Sequence, residues 1–370
     1  MSSEFGKNIR VTVFGQSHSR AIGCTVDGLP AGIEFDLEEL GAFLQRRAPG
    51  GTMPSTKRTE ADIPEFLCGV LPGKDGKTLV TCGAPLTAII YNKDARSSDY
   101  SQISDVPRPS HADFAARVAY GGFEDIRGGG HFSGRLTAPL CIIGGILKQE
   151  LRRRGIAAGT HIRSIGKIED IPFDPVNINA EALGKLERSG RPTLDPEAWE
   201  DMKTLIENCR RELDSVGGVI ECAIAGLEPG LGSPMTGSVE SRLSSAVFAI
   251  PAVKGIEFGS GFAGSSRLGS ENNDGFRVSS DGMIVTEKND HGGILGGITS
   301  GMPVIFRTAF KPTPSIAKKQ ESISYSEMKN RTLEIKGRHD PCVVPRALPV
   351  IEAVSAITVF DLLLDHKKHI

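Results

Sequence analysis

LPVIEAVSAITVFDLLLDHKK, residues 348–368, is apolar on most faces of the helix that its spacing predicts. A helix with one polar side lies on a surface, whereas one apolar nearly all round is buried. The stretch is therefore a core helix, and no run of 18 apolar residues makes a membrane-spanning segment expected. Outward from it, FDLEELGAFLQRRAPG (35–50) reads as a helix: Asp36 can cap it, Leu37, Leu40 and Leu44 share a face, and Pro49-Gly50 stops it. PLCIIGGILKQELRRRG (139–155) is a helix that ends in a basic turn and a glycine, as the helix dipole favours. DPEAWEDMKTLIENCRRELDSVGG (195–218) is a more amphipathic one. Strand patterns occupy NIRVTVFG (8–15), TLVTCGAPLTAIIYN (78–92), VIECAIAGL (219–227) and MPVIFRTAF (302–310). Helices and strands mix along the whole chain without a tandem repeat, a low-complexity tract or a linker. That order favours a single α+β or α/β domain over residues 1–370.

Composition narrows the class. The 370 residues carry a net charge of −2, which argues against a general nucleic-acid binder with its basic excess. Hydrophobic residues at 39% and charged residues at 24% fit a soluble globular chain. The seven cysteines show no CxxC spacing, so neither a zinc site nor a disulfide framework is expected, and a reducing cytoplasm suits them. MSSEFGKNIRVTVFG at the N-terminus has no apolar signal segment.

RGGGHFSGR (127–135) places three glycines between two arginines. So bare a backbone implies close approach to a partner or positive φ at several residues. The flanking arginines make an anionic partner the natural one. Further arginines fall in loops, Arg58 among them, and several stand by Gly or Pro: Arg46 and Arg47 in RRAPGG, Arg108 in PRPSH, and Arg338 and Arg346 in GRHDPCVVPR. Rigid loops that each present a guanidinium suit a multiply charged phosphate or carboxylate, and burying such a set without an anion would be costly.

Histidines supply acid–base chemistry. His18 follows a strand and has serine on both sides; His111 lies in the loop PRPSHADF. Either has the pKa of a natural general acid near neutrality. FKPTPSI (310–316) offers Lys311, Thr313 and Ser315 at alternate positions, which share one side of an extended segment and could clamp a phosphate. Asp340 is either a helix cap or a base held beside Arg338. GGILGGITSG (292–301) lacks the Lys-Ser/Thr ending of a P-loop, no GxSxG elbow exists, and no metal-ligand spacing is present.

Taken together these stretches resemble one family, chorismate synthase. FGQSHSRAIGCTVDGLPAG is similar to its first signature, RPSHAD to its RPGHAD, and YGGFEDIRGGGHFSGRLTA to its YG-x-x-D-x-RGGG-x-x-S-x-R stretch. FKPTPSI and GRHDPCVVPRALPVIEA match its late signatures almost letter for letter. The likeness runs from about residue 6 to residue 365 with the motifs in order. Three departures stand out. GESHG reads GQSHS, so Gln16 replaces a glutamate; RSSAR reads HFSGR, with His131 and Phe132 in place of polar groups; and a triple arginine is reduced to Arg46 and Arg47.

The resemblance implies an α+β fold of the β-α-β sandwich type, usually a cytoplasmic homotetramer. It implies a 1,4-anti elimination of phosphate from 5-enolpyruvylshikimate 3-phosphate, giving chorismate, the last step of the shikimate pathway toward aromatic amino acids. Reduced FMN is required although no net redox change occurs. An outside flavin reductant is expected rather than NAD(P)H oxidation by the chain itself. By the same resemblance Arg46, Arg47, Arg58, Arg135 and Arg338 bind substrate anions, and His18 protonates the departing phosphate. His111 manages the charge of the reduced flavin, and Asp340 assists deprotonation. Lys311, Thr313 and Ser315 hold the FMN phosphate. His131, Phe132, Ser133, Ala252, Gly296 and Arg338 line the cofactor. Three rivals share parts of this pattern: a phosphate-ligand binder without catalysis, an RNA-binding module using arginine loops, and a flavin-dependent oxidoreductase. The first needs no histidine pair, low aromatic content weighs against the second, and the third would consume NAD(P)H with turnover.

Overall fold

The computed structural model describes residues 3–49, 62–92, 104–280, 282–335 and 340–366. Two five-stranded antiparallel sheets enclose a layer of helices. The first sheet uses β1 (Glu4–Phe5), β2 (Arg10–Gly15), β3 (Ala21–Asp27), β4 (Glu65–Cys68) and β5 (Leu86–Tyr91), in the spatial order β1-β2-β3-β5-β4. The second uses β6 (Ala157–Ile165), β7 (Ile168–Glu169), β8 (Gly218–Ala225), β9 (Val253–Phe258) and β10 (Val304–Phe310), ordered β7-β6-β8-β10-β9. Between them lie α1 (Leu37–Arg47), α3 (Thr137–Arg153) and α7 (Val344–His366); α2 (Asp113–Tyr120), α4 (Ala180–Ser189), α5 (Pro196–Arg211) and α6 (Val239–Phe248) flank this core. The α+β class and the sandwich both agree with the expectation from sequence.

The closing helix sits where its composition requires. By length and a mean hydropathy of 1.9 α7 could cross a membrane, yet 89% of that apolar window is buried within the fold. It packs on α3 on one side and on β6 and β8 on the other. Gly144 of α3 makes the contact with α7 possible, because a Cβ there would lie 2.2 Å from the Cβ of Ala353. A glycine in mid-helix costs about 1 kcal/mol in propensity, and close packing of two core helices offsets that loss. The buried carboxylate of Asp361 accepts the backbone N–H groups of Lys7, Asn8 and Ile9 at 2.6–2.9 Å, which fastens the start of β2 to the end of α7.

Local signals explain the other elements. Asp36 caps α1 by accepting from the Glu39 N–H at 2.7 Å, and Asp195 caps α5 with Pro196 at its first position. One expectation is corrected. TLVTCGAPLTAIIYN is two strands, Thr78–Thr81 and β5, in different sheets. Gly83 takes a φ of +82 and Pro85 withholds a backbone N–H, so the ladder stops between them. All seven cysteines are free thiols.

Replacing Gly144 by valine should lower the urea midpoint by the equivalent of about 1–3 kcal/mol or more, as overpacked cores do. An unchanged midpoint would show that α3 and α7 can separate freely.

Candidate active site

The loop after β2 and the RGGG stretch are built against each other. Gly128, Gly129 and Gly130 have φ of +61, +96 and +53 and close a pair of tight turns. Each leaves room for a different neighbour. A Cβ on Gly128 would lie 2.3 Å from Cε1 of His18, one on Gly129 would lie 3.3 Å from Nε2 of His111, and one on Gly130 would strike the Asp125 carbonyl at 1.9 Å. The Ser17 N–H donates to the Gly130 carbonyl at 3.1 Å, which fixes the His18 loop on the turn. His18 is buried at 8% exposure. The bare backbone thus seats both histidines in one place.

The arginines gather on a buried acid. Asp62 receives the guanidinium groups of Arg47 and Arg135, all three being almost fully buried. Arg47 also donates to Thr137 Oγ1 at 3.2 Å, and Arg135 donates from Nε to the Asn92 side chain at 3.1 Å. Asn92 in turn donates to the carbonyls of Gln16 and Ser19 on either side of His18. Burial would raise the Asp62 carboxyl, but the two guanidinium groups hold it below the usual carboxylate range. Arg346 donates to the Arg47 carbonyl at 3.0 Å and pairs with Asp340. Asp340, Arg346, Arg47, Asp62, Arg135 and Asn92 therefore form one connected chain that ends at the His18 loop.

A second branch serves His111. Its Nδ1 lies 2.6 Å from Asp113 Oδ1, and Arg108 grips the same carboxylate through Nε, Nη2 and its backbone N–H. Burial lowers the His111 pKa below its ordinary value against the pull of Asp113, and Arg108 adds to the lowering. Arg108 also donates to Ser315 Oγ at 3.3 Å, and the Lys311 ammonium donates to the Ser110 carbonyl. The phosphate-clamp segment of the sequence thus lies against the His111 loop. Ala252 joins it by accepting the Lys311 N–H at 2.9 Å, with a φ of +74. A cavity of about 240 Å³ borders this branch, lined by Gln16, His111, Asp113, Tyr120 and Phe132 among others.

Other expected site residues fall elsewhere. Arg46 is turned away: neighbouring helix positions point about 100° apart, so when Arg47 faces Asp62 its neighbour cannot. Arg46 instead makes a two-pronged pair with Glu352 at 2.7 and 2.9 Å, reaches Glu187 at 3.0 Å, and borders a separate cavity of about 100 Å³. Lys148 completes that ion cluster. Among the described residues Asp340 pairs with Arg346. His131 is a strut, bonded to the Gly15 carbonyl at 2.9 Å and to Ser3 Oγ at 2.6 Å. Phe132 meets Tyr120 edge-on, and Ser133 Oγ accepts the Arg135 N–H. Gly296 stands at a turn with φ of +61 and open space around it. Arg58 and Arg338 lie outside the described residues. Asp62, Asn92 and Asp113 were missed by sequence reasoning. Only Asp113, two positions after His111 in SHAD, carried a local signal.

A sandwich of two antiparallel sheets around buried helices, with two histidines and converging arginines and carboxylates at one site, defines an enzyme of the α+β class. A family model described as chorismate synthase matches residues 9–364. The chain belongs to that family, whose members are lyases acting on phosphates. It is 44% identical over 361 residues to the chorismate synthase of Korarchaeum cryptofilum, covering 96% of each chain. It is 44% identical over 359 residues to that of Thermococcus kodakarensis, covering 97% of each, and 43% identical over 373 residues to that of Lancefieldella parvula, covering 98% and 96%. A solved structure titled as a crystal structure of chorismate synthase superposes with a TM-score of 0.73 at 27% identity, covering 98% of this chain and 93% of that one.

Glu352 gives this architecture a pH signature. Burial would raise its carboxyl, but Arg46 and Lys148 bring it down to about 2. A carboxyl depressed in the fold stabilises fully above its unfolded pKa of about 4.3 and loses that contribution as pH falls toward 2. Thermal unfolding of the wild type and of Glu352→Gln should differ most above about pH 5, with the gap narrowing at lower pH. A gap that stayed constant would contradict the ion cluster.

Proposed function

We propose that this chain eliminates phosphate from 5-enolpyruvylshikimate 3-phosphate to form chorismate, with reduced FMN as a cofactor that is not consumed. The observation that carries this reading is the convergence of Arg47, Arg135, His18 and His111 around the RGGG turns. A substrate with two carboxylates and a phosphate matches such a cation set. The two buried guanidinium groups meet on the single carboxylate of Asp62, which holds both cations in one place. Expelling phosphate from carbon requires charge neutralisation and a proton. One preorganised donor is worth about 3–4 kcal/mol of barrier, and a general acid adds about 10²–10⁴-fold. His18, seated on Gly128, is the acid in this reading. Arg47, Arg58, Arg135 and Arg338 hold the substrate anions. Asp340, steadied by Arg346, accepts a proton.

The residues fit FMN. Thr313 Oγ1 is buried with no hydrogen-bond partner among the described residues, a donor held out of water in the same segment as Lys311 and Ser315. Lysine with two hydroxyls suits a phosphate monoester. When bound, reduced FMN would supply transient electron donation that helps the phosphate depart. Lys311, Thr313 and Ser315 hold its phosphate in this assignment. His111 balances charge at its ring system, and His131, Phe132, Ser133, Ala252, Gly296 and Arg338 surround it. The reductant comes from outside the chain. Phe262, Phe276 and Ile284 are 83%, 68% and 70% exposed, which supports assembly into the homotetramer. The free thiols support a reducing, cytoplasmic setting.

Anaerobic mixing with 5-enolpyruvylshikimate 3-phosphate should release phosphate and chorismate with reduced FMN and not with oxidised FMN. His18→Ala should cut turnover by about 10²–10⁴-fold while leaving substrate affinity near that of the wild type. Product without reduced flavin, or stoichiometric consumption of reductant, would overturn the proposal. Full turnover by the variant would remove His18 from the acid role.

A further inference from the structure

His111 presents two different edges. Nδ1 faces Asp113 and Arg108, whereas Nε2 lies over Gly129, and no hydrogen bond among the described residues engages it. Asp113 has no freedom to donate. Its Oδ2 accepts the Arg108 backbone N–H at 2.9 Å and Nε at 2.8 Å, and its Oδ1 accepts Arg108 Nη2 at 2.7 Å. The same Oδ1 lies 2.6 Å from His111 Nδ1. A guanidinium and a backbone N–H are donors only, and a carboxylate gripped by two guanidinium N–H groups and one backbone N–H stays ionised and only accepts. The proton between Asp113 and His111 must then sit on Nδ1. Arg108 Nη2, 3.1 Å from Nδ1, cannot take its place, because two donors cannot bond each other.

We propose that Asp113 is a positioning residue that locks His111 in its Nδ1–H tautomer and aims the bare Nε2 across Gly129, so that the ring meets an incoming ligand as a proton acceptor. The charges that face the ring agree. Arg108 on its own segment and Lys311 after β10 are cations, Asp113 is the bonded anion, and Glu124 and Asp125 line the adjoining cavity. Burial together with the two cations outweighs Asp113 and keeps the imidazole neutral more readily than a free histidine. A neutral ring with Nδ1 occupied has one open site, and that site is an acceptor. Gly129 matters because its missing side chain is the space over Nε2, and its φ of +96 is one that other residues rarely adopt. The consequence for turnover rests on the elimination reading above; the tautomer does not.

The test uses the free full-length protein with 15N-labelled histidine. Long-range 1H–15N spectra should show His111 with Nδ1 protonated and Nε2 bare at neutral pH. Asp113→Asn should lower the pH at which the ring titrates, because it removes the anion, and should let the second tautomer appear. Wild-type His111 protonated on Nε2 would overturn the proposal without need of a variant, as would an unchanged tautomer and titration in Asp113→Asn. With substrate and reduced FMN, the same variant should lose about 10²–10⁴-fold in turnover with KM little changed. Wild-type turnover in that variant would overturn the positioning role. Loss of all activity in the wild type, with the tautomer as described, would overturn the elimination reading alone.

Discussion

Gly144 and Ala353 bring the two central helices so close that no side chain fits at position 144, and both sheets depend on that contact. α3 presents its other faces to β3 and β5, and α7 presents its own to β6 and β8. Because α7 is buried nearly all round, it cannot be replaced by a surface helix without losing the apolar core it shares with each layer. Asp361 carries the constraint further by anchoring the backbone of residues 7–9. That anchor sets where β2 begins, and β2 delivers the His18 loop. The site therefore inherits its geometry from the packing of two helices.

Around that frame the chain places an unusual amount of charge out of water. Isolated buried guanidinium groups would be expensive, and each one here is paired: Arg47 and Arg135 on Asp62, Arg108 on Asp113, Arg346 on Asp340, and Arg46 on Glu352. The pairings differ in their setting. Asp62 gathers two guanidinium groups on one carboxylate beside the His18 loop. Arg46 and Lys148 share Glu352 and Glu187, so that cluster is neutral and structural. The contrast explains why two adjacent arginines of α1 have different destinies.

Much of this was legible in the sequence where the cause is local. The all-round apolar pattern of 348–368 marked the core helix, Asp36 and Asp195 marked helix starts, and three successive glycines marked a close approach. What the glycines approach was not legible. Gly128 against His18 and Gly129 against His111 are contacts across more than a hundred and across eighteen positions of chain, fixed only by tertiary packing. Asp62 was invisible because nothing near it in sequence announces two arginine partners. The single strand drawn through 78–92 ignored what Gly83 and Pro85 do to a ladder. The 100° step of the helix sends Arg47 to Asp62 and Arg46 to Glu352, a divergence that adjacency in the sequence does not display.

The central claim is that the Asp62-bridged arginines and the glycine-seated His18 form one anion-receiving site. A crystal structure with FMN and 5-enolpyruvylshikimate 3-phosphate bound tests it most directly. The account predicts substrate anionic groups on Arg47 and Arg135, with the phosphate-bearing carbon within reach of the His18 imidazole. Substrate lodged instead in the separate cavity beside Arg46, with His18 untouched, would contradict it.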